Sequence, residues 1–225
     1  MHPVVVIRGA LGPNPQARQG CQAADSVEGH CAVRSAGGRY HGRMMTASEL
    51  LYRTAAAADV PAVVALVESA YRGESGQRGW TTESHLLDGQ RTDAHSVSAL
   101  IGRDGSKILL AERDGVLLAC CHIEWQGGAG YFGMFAVNPE LQMGGIGRAL
   151  LAEAERVARA SWQVPSMRMT VIAQRAELIA WYERRGYQLT GETLPFPYGD
   201  ERCGLPRRDD LHFVCMSKPL GEAYA

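Results

Sequence analysis

The residues Gln142-Met143-Gly144-Gly145-Ile146-Gly147 place three glycines where an apolar, strand-like run at 131–137 gives way to a helical pattern. That pattern carries Ile146, Leu150, Leu151, Ala154 and Val157 on one side. A helix that starts there exposes unpaired N–H groups and the positive end of its dipole, which suits an anion. Glycines let a bulky phosphate lie directly against the main chain. The turn is therefore a candidate site for a phosphate-bearing ligand. Neither common nucleotide motif fits it. Gly147 is followed by Arg148-Ala149 rather than the Lys-Ser/Thr of a P-loop. A G-x-G-x-x-G does occur at Gly128, Gly130 and Gly133, but it runs into a strand instead of a helix and reads as a hairpin turn.

Ionisable residues on the apolar strand 116–125 are the next candidates. Glu124 shares period-2 parity with Leu118, Cys120 and His122. A carboxylate there could take a proton through water or hold a cationic acceptor, or it could be a strand-end charge facing solvent. His122 reads as a satisfied core histidine. His212 and Cys215 differ in parity and so point to opposite faces, against a Cys–His nucleophilic pair.

The elements that must position these residues follow from periodicity and turn chemistry. A short strand is expected at 50–53, then a helix capped by Asp59, with Pro61 in its first turn and Val60, Val63, Val64, Val67 and Tyr71 at helical spacing. Residues 73–90 are polar and Gly-containing, hence loop, and 96–101 ends a second helix before Gly102. Asp114-Gly115 joins strands 107–113 and 116–125 as a hairpin, and 127–130 turns into strand 131–137. A helix over about 145–160, a strand at 167–172, a helix at 174–185 stopped by Gly186, and a strand at 187–190 come next. Residues 191–210, with Pro195, Pro197, Gly199, Gly204 and Pro206, read as a long loop before a last strand at 211–217. The order specifies an α/β protein with a mixed sheet of about seven strands flanked by helices.

At 225 residues the chain has room for one ample domain plus a tail. Residues 1–44 are rich in Gly, Ala, Arg, Pro and Gln without sustained periodicity and read as a disordered tail, so the domain is expected over 45–225. Our hypothesis is that the working protein starts near Met45. A net charge of -1 argues against a general nucleic-acid binder, which needs a clustered positive excess. Six cysteines without a C-x-x-C pair suggest reduced thiols in a cytoplasmic protein rather than a disulfide framework or zinc site. No apolar run approaches the roughly 20 residues of a membrane span, so no membrane partner is expected.

Two blocks then stand in order. The first is the strand at 131–137 followed by Asn138-Pro139 and Gln142-x-x-Gly145-x-Gly147. The second is Ala180-Trp181-Tyr182-Glu183-Arg184-Arg185-Gly186-Tyr187. With the elements between them they cover about residues 51–218, and together they resemble the GNAT superfamily of acyl-CoA-dependent N-acyltransferases. The resemblance implies a mixed, mostly antiparallel sheet, acetyl-CoA as cosubstrate and no metal. It implies that the backbone at Gln142, Met143, Gly144, Gly145, Ile146 and Gly147 holds the pyrophosphate, with Arg148 adding charge. It implies that strand 131–137 splays from its neighbour, so that pantetheine pairs near Phe135, Ala136 and Val137 and one N–H polarises the thioester carbonyl. The tyrosine matching Tyr182 would protonate the departing CoA sulfur, which a phenol of ordinary pKa near 10 is suited to do. Many members carry Asn where this chain has Gln174-Arg175, so either side chain is a candidate for that cofactor contact. The acceptor walls would be 71–88, with Trp80, and 192–210, with Phe196, Tyr198, Asp200 and Glu201.

The implied function is acetyl transfer to a primary amine of a small molecule or peptide, by direct attack in a ternary complex. An acyl-CoA-binding regulatory module without catalysis is the alternative. A homodimer is a permitted assembly. The identity of the amine is not written in these motifs.

Overall fold

The computed structural model describes residues 49–72, 83–200 and 203–221. The expected tail, the start near Met45, Trp80 and Glu201 lie outside the described residues. In chain order the elements are β1 (Leu51–Thr54), α1 (Val60–Tyr71), β2 (Leu87–Asp88), α2 (Ala94–Ile101), β3 (Ser106–Arg113), β4 (Val116–Gln126), β5 (Ala129–Val137), α3 (Ile146–Trp162), β6 (Ser166–Ile172), α4 (Ala176–Glu183), β7 (Gln188–Pro195), β8 (Leu205–Pro206) and β9 (His212–Pro219).

One seven-stranded sheet runs in the order β1-β3-β4-β5-β6-β9-β7, and β2 pairs with β8 in a small separate ladder. Every neighbouring pair in the large sheet is antiparallel except β5 and β6. The β3–β4 hairpin turns on Asp114 (φ 53°) and Gly115 (φ 76°), the two left-handed residues that a type I′ turn requires. Alternation along β3 sends Leu109 and Ala111 to one face and Ile108 and Leu110 to the other. On the first face they pack with Leu150, Leu151 and Ala154 of α3 and with Leu178 and Tyr182 of α4. On the second they meet Val63, Val67 and Ala70 of α1 and Val97 and Leu100 of α2. Three layers with two cores result.

Two irregularities in β5 shape the centre of the sheet. Its register with β4 shifts between the pairs Cys120↔Ala136 and His122↔Gly133, so that Met134 and Phe135 together oppose Cys121. Met134 adopts φ 43°, and this bulge moves Phe135 and Val137 onto the same face as Phe132. β5 also pairs with β6 only at Gly130↔Met167 and Tyr131↔Arg168, after which the two parallel strands part. Gly130 lets them meet there, because a Cβ on it would lie 2.7 Å from the Met167 sulfur and 3.3 Å from the Ala158 Cβ.

Some local expectations need correcting. Asp59 stands at the start of α1 but caps no first-turn amide with its side chain. Its carboxylate instead accepts from the Ala56 amide at 2.8 Å and pairs with Arg53 at 2.7 Å. Helix α2 starts at Ala94, where Asp93 Oδ1 accepts from the Ser96 amide at 2.6 Å. Strand β7 continues to Pro195, past a register shift around Gly191 (φ 82°), so the loop after it is shorter than expected and contains β8. Strand β7 is an exposed edge strand whose two leucines lie five residues apart, so it carries no apolar alternation to betray its length.

Candidate functional site

A cavity of about 140 Å³ opens where β5 and β6 part. Residues 131–135 of β5 and 169–172 of β6 form two sides, and Leu178 and Tyr182 of α4 form a third. Tyr71, Glu83, Leu87 and Arg91 close it from the α1–α2 side, and Phe196, Cys203 and Phe213 from the C-terminal strands and their loop.

Three tyrosines line this space with different partners. The Tyr71 hydroxyl donates to the Phe135 carbonyl at 2.6 Å, which ties α1 to the bulge. The Tyr131 hydroxyl lies 3.2 Å from Thr170 Oγ1, spanning the parted strands. Tyr182 is 4% exposed, and its ring packs edge-on against Phe132, Trp181 and Tyr187. Among the described residues no hydrogen bond reaches its hydroxyl. Burial, helped by the nearby Tyr71, pushes the Tyr182 phenol well above its usual pKa, so the proton stays on.

The α1–α2 side of the cavity is charged. Glu83 Oε1 accepts from Arg175 Nη1 at 3.1 Å, and Oε2 accepts from Arg72 Nη1 at 3.3 Å. Arg91 Nε lies 3.6 Å from the same Oε2, and its guanidinium sits 5.0 Å above the Tyr71 ring. Burial alone would raise the Glu83 pKa, but the charges of Arg91, Arg175 and Arg72 outweigh it and hold the carboxyl below its usual range.

The glycine turn lies at the other end of β5. Asn138 ends the strand and accepts from the Glu140 amide at 3.0 Å, a 3₁₀ turn spans Pro139–Gly144, and Gly145 takes φ 74° before α3 begins. No side chain caps the α3 N-terminus. A Cβ on Gly145 would meet nothing within 4 Å, whereas one on Gly147 would lie 3.0 Å from the Phe135 ring. The turn is thus open outward and pressed tightly against β5 inward. Arg148 is exposed beside it. Burial, followed by the charges of Arg184 and Arg148, pulls the Arg185 pKa down.

Of the residues singled out in the sequence, Tyr182, Arg175, Phe135 and Phe196 converge on the cavity. Ala136 faces the α1–α2 core and Val137 the α3 core. Glu124 is absent from the lining. Its carboxylate accepts from Arg103 at 3.0 Å and from Gln126 at 3.1 Å. Gln174 donates to the Asp210 carbonyl at 2.6 Å, so its amide is engaged with the C-terminal loop. His122 is buried, 2.9 Å from Ser106 Oγ, and burial drops its pKa to about 4. Tyr71, Glu83 and Leu87 fall inside the expected acceptor wall 71–88, and Phe196 and Cys203 inside the wall 192–210. Sequence reasoning gave Glu83 no role of its own and did not single out Tyr131 or Arg91. Arg91 sits in a polar segment with no periodicity, and Tyr131 is one strand residue among several.

The family model described as Acetyltransferase (GNAT) family matches residues 67–187, more than half of the chain. The chain belongs to the GNAT acetyltransferase family. Solved GNAT structures share its architecture. The ribosomal-protein-alanine N-acetyltransferase of Brucella melitensis is 25% identical, with 75% of this chain and 99% of that one covered and a TM-score of 0.57. YncA of Salmonella typhimurium, solved with its cofactor acetyl-CoA, is 20% identical over 79% of this chain and 98% of that one, TM-score 0.56. The ribosomal-protein-S18-alanine N-acetyltransferase of Escherichia coli is 19% identical over 78% and 96%, TM-score 0.54. No curated protein matches the chain. Within the GNAT match fall the parted β5–β6 pair, the glycine turn and Tyr182.

Proposed function

We propose that this GNAT protein transfers an acetyl group from acetyl-CoA to a primary amine of a small molecule or peptide, by direct attack in a ternary complex, with Tyr182 as general acid. The observation that carries the reading is the buried, protonated Tyr182 hydroxyl, without a hydrogen-bond partner among the described residues, in the cavity where β5 and β6 part.

The residues present fit acetyl-CoA. The turn Gln142–Gly147 has an open outer side at Gly145 and an uncapped 17-residue helix behind it, which suits a pyrophosphate, with Arg148 adding charge. β5 continues past its last pair with β6, and Phe135 lines the cavity there, with Ala136 and Val137 following it toward the glycine turn. Pantetheine amides would pair there in the manner of an added strand, and one β5 N–H would polarise the thioester carbonyl. The thioester supplies an acyl group already activated for attack by an amine.

Tyr182 gives its proton to the departing sulfur. The apolar surroundings that raise the phenol pKa also raise the basicity of a thiolate formed beside it, so the two remain matched. Arg175 and Glu83 hold the α4 N-terminus to the acceptor side of the cavity. The acceptor arrives as the neutral amine. The proton its nitrogen loses on forming the amide passes through solvent to restore the Tyr182 phenol, so that one proton moves net from nitrogen to sulfur. Glu124, held by Arg103 outside the lining, is assigned no step.

Release of CoA thiol across a panel of amines tests the reading. Tyr182→Phe should lower kcat by about 10²- to 10⁴-fold while the rise in melting temperature caused by acetyl-CoA stays the same. Unchanged turnover would remove Tyr182 from the mechanism. Binding of acetyl-CoA without turnover of any amine would favour a regulatory module.

A further inference from the structure

We propose that the acceptor carries a carboxylate, or a similarly compact oxyanion, beside its amine, and that Arg91 receives it. This rests on the acetyl-transfer reading and deepens it.

The observations concern how one carboxylate is divided among three guanidiniums. Glu83 is 6% exposed. Both of its oxygens are taken by hydrogen bonds, Oε1 from Arg175 and Oε2 from Arg72. Arg91 is left at 3.6 Å through Nε, too long for a good hydrogen bond. Among the described residues nothing hydrogen-bonds its guanidinium. Its side chain is 32% exposed, it lines the cavity, and its guanidinium sits over the Tyr71 ring. A second donor on the same cluster, Arg72 Nη2, is buried with no partner.

Arginine cannot shed its proton to escape a poorly solvated site. A guanidinium that shares one carboxylate with two better-placed rivals therefore leaves positive potential in a cavity where Glu83 is the one carboxylate among the described lining residues. The planar fork fits a carboxylate bidentately. A polycationic amine would meet like charge there. Arg91 and Tyr182 line the same cavity, so an amino acid or related amino-oxyanion would present its acid group to one and its amine to the chemistry near the other.

The experiment compares L-amino acids with their carboxamides in the thiol-release assay, at a pH where both amines are deprotonated. The acids should exceed the amides in kcat/KM by about 10- to 150-fold, the range expected for a charged hydrogen-bonding group. Arg91→Gln should erase that preference, bringing the acid-to-amide ratio of kcat/KM to about one, while the acetyl-CoA melting shift stays as it was. Arg91→Lys, which keeps charge but loses the fork, should retain part of it. Amides or polyamines turning over as well as acids in the wild type would overturn the proposal, whether or not the variants fold. So would an acid preference that survives Arg91→Gln. Neither result touches the acetyl-transfer reading. That reading fails separately, if no amine is acetylated and acetyl-CoA produces no melting shift.

Discussion

Tyr182 and His122 are both buried and both kept neutral by desolvation, but one acts as an acid and the other as a base, so burial holds the proton on the first and off the second. Desolvation keeps the Tyr182 proton on, so the activity profile should show no falling limb from this residue up to about pH 10, an ordinary tyrosine pKa. The rising limb should instead follow the acceptor amine, moving when acceptors of different pKa are compared. Desolvation keeps the proton off His122, whose pKa falls from 6.5 to about 4. The unfolded chain then binds a proton that the native state refuses, so stability falls as pH drops from about 6.5 to 4, by about 3 kcal/mol in all. His122→Gln should flatten that part of a denaturation series, and a slope unchanged by the substitution would exclude this histidine as its source. Legibility differed just as sharply. Tyr182 was readable because its block is contiguous in sequence. Glu83, Arg91, Arg72 and Arg175 come from separate segments and become a cluster only once α1, the segment after it and the start of α4 are packed together.

Among the elements, β5 carries most of the meaning and showed least of it. Its apolar residues and flanking glycines marked a strand, and Asp114-Gly115 fixed the hairpin before it, because those signals are local. The bulge at Met134 is not local, since any non-glycine residue looks ordinary until its φ is known. That bulge sends Phe135 toward the start of α3, where Gly147 is the matching absence of a side chain. Gly147→Val should force α3 away from β5, costing about 1–3 kcal/mol of stability and weakening acetyl-CoA more than it weakens the acceptor. Urea denaturation and acetyl-CoA titration would check the two parts. Full affinity in a destabilised protein would separate the turn from the cofactor. The edge strand β7 went unread past residue 190 for another reason. A strand facing water on nearly every side chain has no alternation to detect.

At the scale of the molecule, the described fold begins at Glu49 and contains both cores and the cavity within residues 49–221. A chain starting at Met45 should therefore match the full-length protein in melting temperature and turnover. A loss of either on removing the first 44 residues would give that segment a role. The strand order has a further consequence, in time rather than in space. On one side of the parting, β3, β4 and β5 are laid down as successive hairpins, each beside the strand just made. On the other side, β9 inserts between β6 and β7, although both precede it in the chain. A chain emerging from the ribosome can complete the first half as it is synthesised, but the second half waits for its final strand. Phe213 on that strand is part of the cavity wall, so the pocket that Tyr182 lines is closed by one of the last residues to arrive.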